Sequence, residues 1–132
     1  MCRIGLIRCE KNEEKCPLTS CLKSLRAGVE GFSIHREACE LVGVFTCRCP
    51  GDSISRQAAI LKAKGADVIH LCTCVFAGKK DTTWTEGLGF CPEWQNLGQK
   101  IAQTSGLPCV AGSAHLPPGY EPLVMYPDAK KE

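Results

Sequence analysis

The chain has 132 residues, a formal net charge of +2, 44% hydrophobic residues and 23% charged residues. That composition describes one globular domain large enough to build its own core. With no basic stripe or acidic block there is no argument for a nucleic-acid or membrane partner, and no run approaches the ~20 apolar residues of a membrane span.

The opening segment MCRIGLIRCE is too short and interrupted for a secretion signal, so the expected location is the cytoplasm. Eleven cysteines stand in this one chain. An odd number in a reducing compartment argues against a complete disulfide framework and for metal or thiol chemistry.

In chain order, residues 2–9 (CRIGLIRC) predict a first strand with Ile4, Leu6 and Ile7 buried. After a polar loop, Cys16-Pro17 opens a helix with Leu18, Cys21, Leu22 and Leu25 on one face and Gly28 near its end. Residues 29–39 predict a short extended piece or a last helical turn around Phe32 and Ile34. A buried strand over residues 40–46 follows and delivers Cys47. Pro50 and Gly51 break it, and Asp52 or Ser53 caps a helix carrying Ile54, Ala58 and Leu61. That helix stops at Lys62-Ala63-Lys64-Gly65. The nearly continuous apolar run of residues 66–74 predicts a parallel strand covered on both faces.

Residues 77–90, rich in Gly, Lys and Thr, predict a loop or mobile flap. Cys91-Pro92 then opens a helix with Trp94, Leu97 and Ile101 inward, stopped by Gly106. A last strand over residues 107–114 ends at His115. Residues 1–115 thus form a single cysteine-rich α/β domain. Residues 116–132 form a proline-rich tail in which Leu123 to Tyr126 can add an edge strand.

Alternating strands and helices predict a three-layer α/β sandwich with a mostly parallel sheet of four to five strands, flavodoxin- or Rossmann-like, in the order 2-1-3-4. Sites in such sheets gather at the carboxyl ends of the strands. Cys9, Cys47, Cys74 and His115 each fall at or just past a predicted strand end. The Cys-Pro dipeptides at Cys16, Cys49 and Cys91 mark helix starts at the same edge, because proline suits the first helical position. Cys47 and Cys49 then face a helix N-terminus, which favours thiolate. Arg8 and Arg48 flank the cysteines and either lower thiol pKa, hold an anion or are simply solvated. Cys2, Cys21, Cys39, Cys72 and Cys109 sit at positions that a core Val or Ala could fill; His70 is read as a core histidine and His35 as a surface one.

IGLIRC, Cys16-Pro17, VGVFTCRCPG, GADVIHLCTC, Cys91-Pro92 and the final SAH together resemble the CGGC-domain family over roughly residues 1–115. The resemblance implies metal binding through Cys9, Cys16, Cys47, Cys49, Cys74, Cys91 and His115. The chain departs from the family at its centre, where Cys47-Arg48-Cys49 is one residue shorter than C-G-G-C and has a different bite.

Two functions compete. Soft thiolates with one imidazole suit zinc or an iron–sulfur cluster, the expected partner being a metal ion. Alternatively, Cys47 and Cys49 act as a thiol–disulfide oxidoreductase or reductase toward a small-molecule or redox partner. A C-x5-R phosphatase or arsenate-reductase loop fails, since Arg56 follows Cys49 with six residues between. No G-x-G-x-x-G or Walker loop supports a nucleotide module.

Overall fold

A computed structural model describes residues 1–127; the last five residues of the proline-rich tail lie outside the described residues. The elements run β1 (Cys2–Cys9), α1 (Thr19–Ala27), β2 (Cys39–Cys47), α2 (Ile54–Ala63), β3 (Val68–Leu71), β4 (Ala77–Lys80), β5 (Thr83–Glu86), α3 (Trp94–Ser105), β6 (Cys109–Ala111) and β7 (Leu123–Met125). The main sheet has the order β2-β1-β3-β6-β7. Its first four strands are parallel, in the expected 2-1-3-4 arrangement, and β7 closes the far edge antiparallel to β6.

Strand parity sorts the core into two halves. Ile7 and Cys9 of β1, Ile69 and Leu71 of β3, and Cys109 and Ala111 of β6 pack under α2 and α3. Cys2, Ile4 and Leu6 of β1, Val68 of β3 and Val110 of β6 pack under α1 with Leu18, Cys21 and Leu25. Successive strand residues point to opposite faces, so alternate cysteines are sent to different cores. Each fully buried Ile or Leu, such as Ile4, Leu6 and Ile69 at 0% exposure, contributes roughly 1.5–3 kcal/mol.

Several expectations change. β2 is an edge strand rather than a buried one: none of its residues is buried, because only β1 covers it. β3 ends at Leu71, and Thr73–Val75 turn as a 3-10 helix, so Cys72 and Cys74 do not share one strand face. Residues 77–90 hold an antiparallel hairpin, β4 with β5, in place of a loop. Its Thr-Trp-Thr segment has the composition of a strand. Glu30–His35 is a 3-10 helix. The helices after Cys16-Pro17 and Cys91-Pro92 start two residues later than expected, with Leu18 and Glu93 at the N-cap positions. Ser53 occupies the α2 N-cap but makes no side-chain cap bond. Among the described residues no helix is long and apolar enough to cross a membrane.

Candidate functional site

The carboxyl ends of the parallel strands carry two groups of thiols. The first lies on the β2–β1 side. Cys9 and Cys47 are register partners at the ends of adjacent parallel strands, hence side by side on the α2–α3 face. Cys9 is 5% exposed, Cys47 and Cys91 are half-buried, and Cys49 is exposed. All eleven cysteines are free.

Gly51, with φ +92°, folds the chain back so that a Cβ there would stand 3.7 Å from Cys47 Sγ. Glu10, just past β1, accepts a hydrogen bond from the Cys49 backbone N–H at 2.7 Å. Its other oxygen lies 3.5 Å from Arg48, whose guanidinium also reaches Glu13 at 3.2 Å. These exposed pairs tie the segment after β2 to the loop after β1 and add little stability of their own. The Cys91 N–H donates to Val75 O at 2.9 Å, which pins the third segment beside the turn after β3.

The electrostatics of this group oppose the expectation of helix-activated thiolates. Burial pushes the Cys47 thiol up to about 11, and Cys91, Cys9, Cys49 and Glu10 push the same way. Cys9 is also raised, first by burial. Arg48 does not offset this, because its charge is spent on Glu10 and Glu13; Arg8 is likewise engaged, donating to Thr46 Oγ1 and Cys16 O.

The second group lies on the α1 face. A small pocket of about 70 Å³ is lined by Cys16, Cys21, Cys72 and Cys74, with Arg8 and His115 also at its walls. Cys21 Sγ lies 3.0 Å from Ser113 Oγ and 3.9 Å from Cys72 Sγ. Ser113 Oγ accepts the Thr73 N–H at 3.1 Å, and the Ser113 N–H donates to Thr73 Oγ1 at 3.0 Å. With one lone pair taken by Thr73, the Ser113 hydroxyl proton is free to point at Cys21. The hydrogen bond shared with Cys72, together with those to Ser113 and the Ala114 backbone, outweighs burial and brings the Cys21 thiol down to about 6. The same pairing and burial raise Cys72 well above the usual thiol range.

The seven expected ligands therefore do not form one cluster. Cys9, Cys49 and Cys91 lie near enough to Cys47 for their charges to act on it. Cys16 lines the second pocket, its sulfur accepting the Leu18 N–H at 3.4 Å. Cys74 borders both cores and is pushed up to about 11 by burial. His115, exposed and at φ +54°, stacks flat on Trp84 of β5 with ring centroids 5.1 Å apart. Among the described residues no three His, Cys, Asp or Glu side chains already form a metal-holding group.

Cys21 and Cys72, read from the sequence as core residues, are buried in the α1-side core as expected and also form the centre of the second group. No sequence signal marked them: the helix was expected to open at Cys16-Pro17, and only its later start at Thr19 puts Cys21 in the first turn, where the helix dipole favours thiolate. His70 is a core histidine, 0% exposed, with Nδ1 2.7 Å from Gly112 O. His35 is not a free surface residue, because its Nε2 lies 2.8 Å from His70 Nε2. Cys109 is fully buried and pushed up to about 12, as a core thiol should be.

No curated protein and no solved structure matches the chain. The family model for the CGGC domain matches residues 3–114, which spans every strand and helix from β1 to β6, and the chain belongs to the CGGC-domain family.

Proposed function

We infer that the protein binds a metal, zinc or an iron–sulfur cluster, through Cys9, Cys47, Cys49 and Cys91. One observation carries this reading: at one sheet edge burial, and after it the neighbouring thiols from three separate segments, raise the Cys9 and Cys47 thiols, Cys47 up to about 11. A soft cation removes that penalty, because it displaces the protons and cancels the repulsion between thiolates. Four sulfur donors suit a closed tetrahedral zinc or a cluster. The donor chemistry fits. The ligands are not gathered beforehand as a shell among the described residues, so binding and closing of this edge are one coupled event in this reading. Zinc here would act structurally, whereas a cluster would supply electron transfer.

A second reading rests on the contrast between exposed Cys49 and half-buried Cys47, one residue apart. An exposed attacking thiol beside a protonated resolving one is the layout of a thiol–disulfide exchanger.

The deciding experiment is anaerobic purification without chelator, followed by metal analysis by mass spectrometry beside a visible absorption spectrum. Near-stoichiometric zinc without colour, or iron and sulfide with a broad visible band, supports the metal reading. A metal-free protein whose Cys47 and Cys49 close reversibly to a disulfide overturns it in favour of exchange.

A further inference from the structure

The pocket on the α1 face uses none of the four proposed ligands. Its sulfurs come from α1, the loop before it and the segment just past β3, and Cys21 and Cys72 belong to the core opposite the one that holds Cys9 and Cys47. Three features make it more than a cysteine-lined void. Cys21 Sγ and Cys72 Sγ are 3.9 Å apart and already share a hydrogen bond. Ser113 is held by its reciprocal bonds with Thr73 so that its hydroxyl faces Cys21 at 3.0 Å. The cavity, about 70 Å³, has room for a few water-sized molecules and for nothing as large as a peptide.

We propose that Cys21 and Cys72 form a peroxide-responsive dithiol, with Cys21 attacking a small hydroperoxide in this pocket and Cys72 resolving the product as a disulfide. In the first step the Cys21 thiolate attacks the terminal oxygen. The O–O bond breaks, Cys21 becomes a sulfenic acid, and the leaving hydroxide or alkoxide takes a proton from water. In the second step the Cys72 sulfur attacks the Cys21 sulfur and displaces hydroxide, which leaves as water with the Cys72 proton. Two thiols and one hydroperoxide thus yield one disulfide, water and the reduced peroxide. A dithiol reductant restores both thiols by exchange. Cys21 takes the attacking role because it stands in the first turn of α1 and faces the pocket, whereas Cys72 is 1% exposed. Its low thiol pKa, about 6, agrees with that assignment.

The test uses the full chain as purified, reduced and freed of reductant, then exposed to a slight molar excess of hydrogen peroxide, alkylated and mapped by mass spectrometry. The expected product is an intramolecular Cys21–Cys72 linkage that dithiothreitol reverses. Cys72→Ala should instead accumulate a Cys21 sulfenic acid that dimedone traps, and Cys21→Ser should give neither product. Ser113→Ala, which leaves both sulfurs in place, should slow alkylation of Cys21 by about tenfold through the lost hydrogen bond to a charged sulfur. Oxidation confined to Cys47 and Cys49, with Cys21 and Cys72 still free, overturns the proposal. So does a Cys72→Ala protein with no dimedone adduct at Cys21. Metal content measured on the same variants keeps this result separate from the metal reading, since Cys21→Ser and Cys72→Ala should bind as much metal as the parent chain.

Discussion

The two thiol groups are built from the same residue type at the same end of one sheet, yet their surroundings give them opposite tendencies. Around Cys47 burial disfavours ionisation first, and the neighbouring thiols and the Glu10 carboxylate push the same way. Around Cys21 the neighbours are hydrogen-bonding groups: first the Cys72 thiol, then the Ser113 hydroxyl and the Ala114 backbone. A cysteine among cysteines calls for a cation, while a cysteine among hydrogen-bonding partners is biased toward thiolate. Position at a strand end is therefore not enough to assign a role; the hydrogen-bonding partners decide it.

The largest expected effect separates the groups by metal affinity. Cys47→Ser or Cys91→Ser should weaken metal binding by more than about a hundredfold, because even outer partners of a ligand are worth 10–100-fold. Cys21→Ser should leave it unchanged. Competition with a chromophoric chelator reads this directly, and equal losses in all three variants would merge the two groups into one site.

Next comes reactivity in metal-free protein at neutral pH. Thiol values of about 6 for Cys21 and about 11 for Cys47 give a thiolate ratio on the order of 10⁴. The higher intrinsic nucleophilicity of the more basic thiolate takes back on the order of 10², leaving Cys21 ahead by about a hundredfold. Timed iodoacetamide labelling with peptide mapping checks this; faster labelling at Cys47 would reverse the comparison.

Backbone contacts support the pocket side specifically. A Cβ on Gly31 would sit 2.5 Å from Gly112 C and O, and the Gly31 N–H donates to Ser113 O at 2.9 Å. Gly31→Ala should cost about 2–3 kcal/mol, since backbone cannot yield as a side chain does. A Cβ on Gly98 meets the flexible Met125 thioether, also at 2.5 Å, and touches Leu71 Cδ1 at an ordinary 3.6 Å. Alanine is the better helix former there, so Gly98→Ala should cost about 1 kcal/mol or less. Urea midpoints of the two variants give both values.

A pH dependence of similar size to the Gly31 effect belongs to the same side of the sheet. Burial lowers His70 to about 3, against the opposing pull of Gly112 O. Because the folded pKa is depressed, the native state keeps His70 neutral while the unfolded chain takes a proton below about 6.5. The stabilisation is complete above about 6.5 and is lost as pH falls from there toward the folded value. The slope is about 1.4 kcal/mol per pH unit, or about 2 kcal/mol between pH 6.5 and 5. Denaturant unfolding at those two pH values should show that loss, and His70→Gln should flatten it.

Much of the frame was legible before any coordinates. The β1 bounds were plain because apolar residues and cysteines bracket Ile4 to Ile7, and the stops at Gly65 and Gly106 follow from glycine at helix ends. The hairpin of β4 and β5 was not legible, because its strands are four residues long and carry lysines and threonines that read equally as loop. The Cys9–Cys47 pair could be anticipated, since adjacent parallel strands end together. The Cys21–Cys72–Ser113 group could not.

By itself the sequence determined the order of strands and helices, the delivery of cysteines to the carboxyl edge and the family to which the chain belongs. Those follow from local propensity, periodicity and spacing, which are written along the chain. Only the tertiary structure decided which face each cysteine joins and which atoms meet it. Strand parity sent Cys9 to one core, the turn after β3 left Cys72 in the other, and Ser113 reached Cys21 from 92 residues away. A thiol's ionisation depends on such contacts, and contacts between distant residues exist only once the sheet has formed.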